Sequence, residues 1–172
     1  MITTKRLVLK EWSVLDKSEL FKLASNIDIA YKCGFVAHKS EEDSENVIRE
    51  ILQKRGNFAV KLKTNGRLIG SCGLKFYKNL KEAEIGYWIG EEFLRQGYCF
   101  EAASSLISYA FNFLKIEKIF ASVMFYNVKS ANLLKKLGFI YFGLKSLEFN
   151  VIDEVRLSKI FLLLKENFRS FV

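Results

Sequence analysis

The chain has 172 residues, half of them hydrophobic and 15% aromatic, with 16 Phe, which is enough for one domain around a single bulky core and too apolar for a disordered segment. Its 27 Lys and Arg against 19 Asp and Glu give a formal charge of +8. The basic residues come as singles and pairs, such as Lys5-Arg6, Lys54-Arg55 and Lys135-Lys136, so they describe a solvated surface rather than the basic block that grips nucleic acid, which is set aside as a partner. Apolar runs are too short to span a bilayer and the first dozen residues, MITTKRLVLKEW, mix charge with apolar side chains, so neither a membrane segment nor a cleaved leader is expected. Cys33, Cys72 and Cys99 are odd in number and lack metal-ligand spacing, which excludes a structural zinc and fits reduced thiols in the cytoplasm. With no linker, repeat or low-complexity tract, residues 1–172 read as one domain.

In chain order, residues 6–10 alternate with a period of two and predict a strand, and residues 16–24 predict a short helix. Ser40 or Asp43 caps a second helix whose stripe of Val47, Ile48, Ile51 and Leu52 ends near Gly56. Between them, residues 34–40 form a loop that carries His38, read as an ordinary surface histidine. Residues 57–63 and 67–77 are strands of a hairpin turned by Thr64-Asn65-Gly66. Residues 84–89 follow as a third strand, and residues 100–115 as a largely buried helix with Ala102, Leu106, Ala110 and Phe113 on one face. Residues 118–125 are rich in β-formers, so 84–125 reads as a right-handed βαβ crossover between parallel strands. A two-turn helix over 130–137 stops at Gly138, and strands near 139–149 and 154–164 close the chain. The sum is an α+β fold with a mixed sheet and about four helices. Apolar residues in 161–172 permit a homodimer through the C-terminal strand, and a monomer equally.

The stretch AEIGYWIGEEFLRQGYCFEA, residues 83–102, runs from a strand broken at Gly90 through the loop 94–99 into a helix. A loop feeding a helix N-terminus presents unpaired N–H groups and the positive end of the helix dipole, and so makes a cradle for phosphate or pyrophosphate. Gly97 lets the backbone approach such a ligand without a Cβ in the way. An ordinary strand-to-helix turn has the same local pattern.

Followed by YNVKSANLLKKLGF at residues 126–139, this stretch resembles the GNAT superfamily of N-acetyltransferases. The opening TKRLVLKEW at residues 4–12, with EIGYWI and GYCFEA, is similar to the branch that acetylates ribosomal-protein N-termini and also holds acetylators of small amines. The resemblance implies a mostly antiparallel sheet with one splayed parallel pair, and acetyl-CoA as co-substrate with no metal. It implies pyrophosphate contacts from Leu94, Arg95, Gln96, Gly97, Tyr98, Cys99, Phe100 and Glu101, pairing of the pantetheine arm with Trp88, Ile89 and Gly90, and coenzyme contacts from Asn127 and Ser130. Leu94 stands where the family usually has Arg or Gln, and Cys99 where it has a second small residue.

The implied reaction is direct attack of an amine on the thioester. An alkyl ammonium of pKa ~10 must first lose a proton, and Glu84, beginning the central strand, is the candidate base, with Glu82 and Glu148 behind it. A solvated or ion-paired strand-end charge is the alternative role of Glu84. A strand N–H near Ile89 is placed to hold the oxyanion. The helix position that in many members carries a proton-donating Tyr is Leu134; Ser130 either takes part at the sulfur or caps its helix. The acceptor is a primary amine, either a protein α-amine such as that of a ribosomal protein or a small molecule. A fold-retaining acyl-CoA-binding domain of weak turnover is the alternative. Tyr87, Trp12 and Trp88 read as core aromatics.

Overall fold

The computed structural model describes residues 1–77, 80–149 and 154–169. Eight strands make one sheet: β1 Ile2–Thr3, β2 Leu7–Lys10, β3 Asn57–Leu62, β4 Leu68–Phe76, β5 Glu82–Ile89, β6 Lys118–Met124, β7 Ile140–Phe149 and β8 Glu154–Leu164. Their order is β1-β2-β3-β4-β5-β6-β8-β7, and every pair is antiparallel except β5 with β6. The hairpin predicted at residues 64–66 joins β3 to β4, with Gly66 at φ 73 and its N–H on Leu62 O at 2.8 Å.

Five α-helices are present among the described residues: α1 Lys17–Ala24, α2 Ile27–Cys33, α3 Glu41–Val47, α4 Tyr98–Asn112 and α5 Val128–Lys136. This is one more than the about four expected from the sequence, and the added helix is α2. It is a seven-residue helix with Ile27 and Tyr31 exposed, so it lacks a full apolar stripe. Its ends carry the signal instead: Asn26 Oδ1 accepts from Ile29 N–H at 3.0 Å, and Gly34 closes it in the left-handed region. Of the two caps considered for α3, Ser40 serves, accepting from Asp43 N–H at 3.1 Å. The helix α4 starts two residues earlier than residue 100 and ends at Asn112; Phe113 is 73% exposed and does not join its buried face.

One buried cluster runs through both halves of the sheet, from Leu7, Leu9, Val60 and Ile69 to Leu106, Ile107, Ile119, Phe161 and Leu163. The β4·β5·β6 strands and α4 thus share a rigid core, which fixes where the C-terminal end of β5 meets the N-terminus of α4.

Two expectations are corrected. His38 is buried, at 8% exposure, with Nδ1 2.8 Å from Ser44 Oγ; burial lowers its pKa against the smaller opposing effect of Asp43. The C-terminal strand is no free edge, because β8 lies between β6 and β7 with Phe161 and Leu163 each at 1% exposure. The outer strand is β7, and residues 170–172 of the apolar stretch lie outside the described residues.

Candidate active site

The parallel pairing of β5 with β6 covers only Glu82–Glu84 against Lys118–Phe120. Beyond it β5 continues to Ile89 and β6 to Met124 without pairing to each other, while β4 holds β5 as far as Ile89 and β8 holds β6 as far as Met124. Two strands anchored on their outer sides and unpaired on their inner sides leave a wedge-shaped gap lined by backbone groups.

Strand parity decides which groups face that gap. Glu82 O accepts from Tyr77 N–H and Gly90 N–H donates to Ile69 O, so the even-numbered residues of β5 turn their N–H and C=O toward β4. Ile85, Tyr87 and Ile89 therefore present theirs to the gap. Of the three residues expected to pair with the pantetheine arm, Ile89 turns its backbone to the gap, while Trp88 turns its backbone to β4 and Gly90 gives its N–H to Ile69 O and its carbonyl to Phe93 N–H at 3.0 Å. The Trp88 side chain instead packs on Phe35, with ring centroids 5.6 Å apart.

The gap opens toward the N-terminus of α4. After Gly90 a short turn, Glu91–Phe93, is held by Asn26 Nδ2 to Glu91 Oε2 at 2.7 Å and by Arg67 to Glu92 at 2.8 Å. Leu94, Arg95, Gln96 and Gly97 follow at the surface, with Arg95 at φ 62 and Gly97 at φ 80. Gly97 is the N-cap of α4 and no side chain caps the helix; the first intrahelical bond runs from Glu101 N–H to Gly97 O at 3.1 Å. Amides ahead of that bond, including those of Tyr98 and Cys99, point out of the helix end as anion donors.

Glu101, expected at the coenzyme, turns its side chain to the N-terminal strand. Its carboxylate accepts from Thr4 Oγ1 at 2.6 Å, from Arg6 N–H at 2.8 Å and from Arg6 Nε at 2.7 Å. Arg6 also donates Nη1 to Gln96 O at 2.9 Å and stacks 4.5 Å over the Tyr98 ring. Burial alone would raise the Glu101 pKa, but the bonds from Thr4 and Arg6 outweigh it and hold the carboxyl below its ordinary value. The clasp fixes the loop backbone in the strained left-handed turn of Arg95.

On the far side of the gap, Asn127 is the N-cap of α5, its Oδ1 accepting from Ser130 N–H at 3.2 Å. Asn127, not Ser130, therefore caps this helix. Ser130 Oγ lies 3.1 Å from Tyr87 Oη, which bridges from α5 back to β5. Leu134 is 0% exposed and, as an aliphatic side chain, has no proton to give. Glu84, at the closed end of the wedge, is half-buried and accepts from Ser122 Oγ on β6 at 2.6 Å. Glu82 is ion-paired to Lys118 at 3.1 Å, and Glu148 is exposed on β7. Cys99 is half-buried, and desolvation pushes its thiol up to about 12, too high for a nucleophile.

Three features had no signal in the sequence reading: the Arg6–Glu101 clasp, the Tyr87–Ser130 bridge, and an Arg156 guanidinium 4.1 Å over Tyr31, which stacks on Tyr126 at 5.6 Å. The last ties α2 to β8 beyond the end of β6, through Arg156 Nη1 to Tyr31 O at 2.7 Å. No group of His, Cys, Asp and Glu among the described residues has the arrangement of a metal site, and no helix among them is long and apolar enough to cross a membrane.

The acetyltransferase (GNAT) domain family matches residues 6–140, a span that takes in the splayed parallel pair and the uncapped N-terminus of α4. The chain belongs to the GNAT family of acetyltransferases and is thereby an acyltransferase. It is 30% identical over 145 residues to the uncharacterized N-acetyltransferase YoaA of Bacillus subtilis, covering 81% of this chain and 82% of YoaA. Among solved structures it is similar to a Vibrio cholerae protein provisionally named a ribosomal-protein-serine acetyltransferase, with TM-score 0.82, 27% identity and 95% and 96% of the two chains covered. The Vibrio cholerae spermidine N-acetyltransferase, solved with CoA and spermine, shares the fold at TM-score 0.80 and 21% identity, over 95% of this chain and 98% of that one.

Proposed function

We propose that this protein transfers an acetyl group from acetyl-CoA to a primary amine, a protein α-amine or a small-molecule amine. The observation that carries the reading is the wedge between β5 and β6, whose open end meets the uncapped N-terminus of α4. The residues present fit the coenzyme. The amides at the start of α4 and the loop over residues 94–97 suit the pyrophosphate, with Arg95 at the rim, and the gap-facing backbone of Ile85, Tyr87 and Ile89 suits the amide-bearing arm. Asn127 and Ser130 border the opposite wall.

Bound acetyl-CoA supplies an activated thioester. Glu84, held by Ser122, takes the proton of the acceptor ammonium through water, and the Ile89 N–H, pointing into the gap, receives the negative charge that builds on the carbonyl oxygen. Ser130, near the start of α5, would face the leaving sulfur. A thiol of pKa ~8.5 leaves as thiolate without a strong acid, which accommodates Leu134. Spermidine acetylation is the named activity of one fold neighbour and ribosomal-protein-serine acetylation of another, and each supports one arm of the acceptor class. Buried Leu134 also favours a second reading, an acyl-CoA-binding domain of weak turnover. The free thiols Cys33, Cys72 and Cys99 support a reducing, cytoplasmic setting.

The test is thermal melting with and without acetyl-CoA, for the wild type and for Gly97→Glu. A Cβ at Gly97 would lie 3.4 Å from Arg6 Nη2, and the added carboxylate repels phosphate. Ligand at ~100 times its Kd adds ~2.7 kcal/mol, a rise of roughly 5–10 °C for a chain of this length. A rise in the wild type alone, followed by amine-dependent thiol release, is expected. No rise in either protein refutes the coenzyme site, and a rise without thiol release from any amine leaves the binding-domain reading.

A further inference from the structure

We propose that Tyr87 is a positioning residue for the departing sulfur: its phenol donates to Ser130 Oγ across the open gap and turns the Ser130 hydroxyl proton toward the coenzyme thiol. The inference rests on the acetyl-transfer reading above.

The geometry is specific to the unpaired part of the wedge. Tyr87 stands three residues past Glu84, the last residue of β5 paired to β6. Its backbone faces the gap, and its side chain crosses to α5 to meet Ser130 at 3.1 Å. A side-chain bond thus spans the two walls where no backbone pairing does. By strand alternation Tyr87 and Glu84 project to opposite faces of β5, so the base and the sulfur-side group are carried on different faces of that strand.

The hydrogen-bond inventory sets the direction. Ser130 N–H is already committed to Asn127 Oδ1 at 3.2 Å, which fixes the residue in α5 and leaves the hydroxyl rotation as its free variable. A serine hydroxyl carries one proton and two acceptor sites, and a phenol is the stronger donor of the two. Burial also keeps the Tyr87 phenol above its ordinary pKa, so it retains its proton to give. The titratable groups around it are Cys72 of β4, Cys99 of α4 and Cys33 of α2, with Ser130 as its hydrogen-bond partner. With Tyr87 donating, the Ser130 proton is left for a third atom in the gap.

The step balances without further reagents. The acceptor ammonium gives one proton through water to Glu84, which passes it on to solvent; the neutral amine nitrogen then forms the C–N bond, the C–S bond breaks with its electron pair on sulfur, and the second nitrogen proton leaves to solvent as the amide forms. Ser130 keeps its proton and donates a hydrogen bond to the forming thiolate, which is protonated by solvent after release.

The test uses CoA itself and needs no acceptor. The thiol of bound CoA is titrated by its ultraviolet thiolate absorbance against the same protein holding desulfo-CoA, a blank that subtracts the chain's own cysteines. A hydrogen bond to the thiolate lowers the bound thiol pKa by about one unit relative to free CoA, a tenfold gain in ionisation at fixed pH. Tyr87→Phe, Ser130→Ala and the double variant are each expected to lose that gain to the same extent, whereas Ser130→Thr, which keeps the hydroxyl, retains it. A Tyr87→Phe protein with the wild-type thiol pKa overturns the inference, and so does a further loss on adding Tyr87→Phe to Ser130→Ala, because the phenol would then act on sulfur directly or on the fold at large. Should Tyr87→Phe fail to fold, a Ser130→Ala thiol pKa equal to the wild type's overturns it as well. Failure of the wild type to bind CoA sinks the acetyl-transfer reading together with this inference, while bound CoA with an unshifted thiol sinks this inference alone.

Discussion

Glu101→Ala removes the acceptor on which three N-terminal donors converge, Thr4 Oγ1, Arg6 N–H and Arg6 Nε. Each hydrogen bond to a carboxylate is worth ~1.5–3 kcal/mol when sheltered. The Arg6 side chain is 42% exposed against 18% for Glu101, however, so solvent screens the ion pair down to a fraction of that. The two bonds from Thr4 and the Arg6 backbone then dominate; being only part-buried and exposed, they are worth ~1–1.5 kcal/mol each, so the total loss is about 2–3 kcal/mol, lowering Tm by roughly 4–12 °C. Glu101→Gln separates the contributions, because its amide oxygen still accepts from Thr4 and the Arg6 backbone while its NH₂ cannot accept from Nε. It is expected to cost less than half as much. Thermal melting gives the stabilities, and titration with acetyl-CoA gives the affinity, which should fall about tenfold or more for Glu101→Ala as Arg6 releases Gln96 and the loop leaves its left-handed turn. A Glu101→Ala protein with unchanged Tm and unchanged affinity would refute the idea that the clasp sets the loop.

Glu84→Gln keeps the hydrogen bond from Ser122 but cannot take a proton; kcat for an amine acceptor should fall ~100-fold while the acetyl-CoA-induced rise in Tm persists, and an unchanged kcat would remove Glu84 from the mechanism. Leu134→Tyr, at a site with 0% exposure, should lower stability by ~1–3 kcal/mol through overpacking and an unpaired hydroxyl; a gain in turnover at unchanged Tm would contradict the buried placement. The pH dependence of Tm should show two steps. His38 has its folded pKa lowered by burial, so the unfolded chain takes up its proton first and stability declines as pH drops below about 6.5. Glu101, also lowered in the fold, gives stability that is complete above about pH 4.3 and lost as pH falls through its folded value. A Tm that stays flat from about pH 7.5 to about pH 5.5 would rule out the His38 step.

What was legible in the sequence was whatever a short window encodes. Alternation marked β2, the Asn65-Gly66 turn fixed the β3–β4 hairpin, and the stripe through Ala102, Leu106 and Ala110 marked the buried helix. The resemblance carried by residues 83–102 and 126–139 implied the splayed pair of strands. What was not legible depends on pairs far apart in the chain. Arg6 and Glu101 are 95 positions apart and Tyr87 and Ser130 are 43 apart, so no local pattern couples them. His38 is buried because Ser44 and Phe35 fold over it, which a loop's composition does not reveal. Trp88 was assigned to the coenzyme arm by its place in a motif, but only the parity of the β4–β5 ladder says which backbone groups face outward.

The position of β8 between β6 and β7 governs how the chain can be made. Neither β6 nor β7 pairs with the other; both wait for residues 154–164, which bond to β6 along seven registered positions, from Lys118 with Leu164 to Met124 with Ser158. A nascent chain leaves the ribosome from its N-terminus at ~5–20 residues per second, so after β6 emerges one flank of that strand stays open for several seconds. During that interval Ile119, Ala121 and Val123, all buried once folding is complete, sit beside an unsatisfied row of amides and carbonyls, the arrangement that recruits foreign strands. The wedge that suits the coenzyme therefore acquires its second wall late, and a chain stalled before residue 154 would present a sticky half-sheet to chaperones rather than a weakened enzyme.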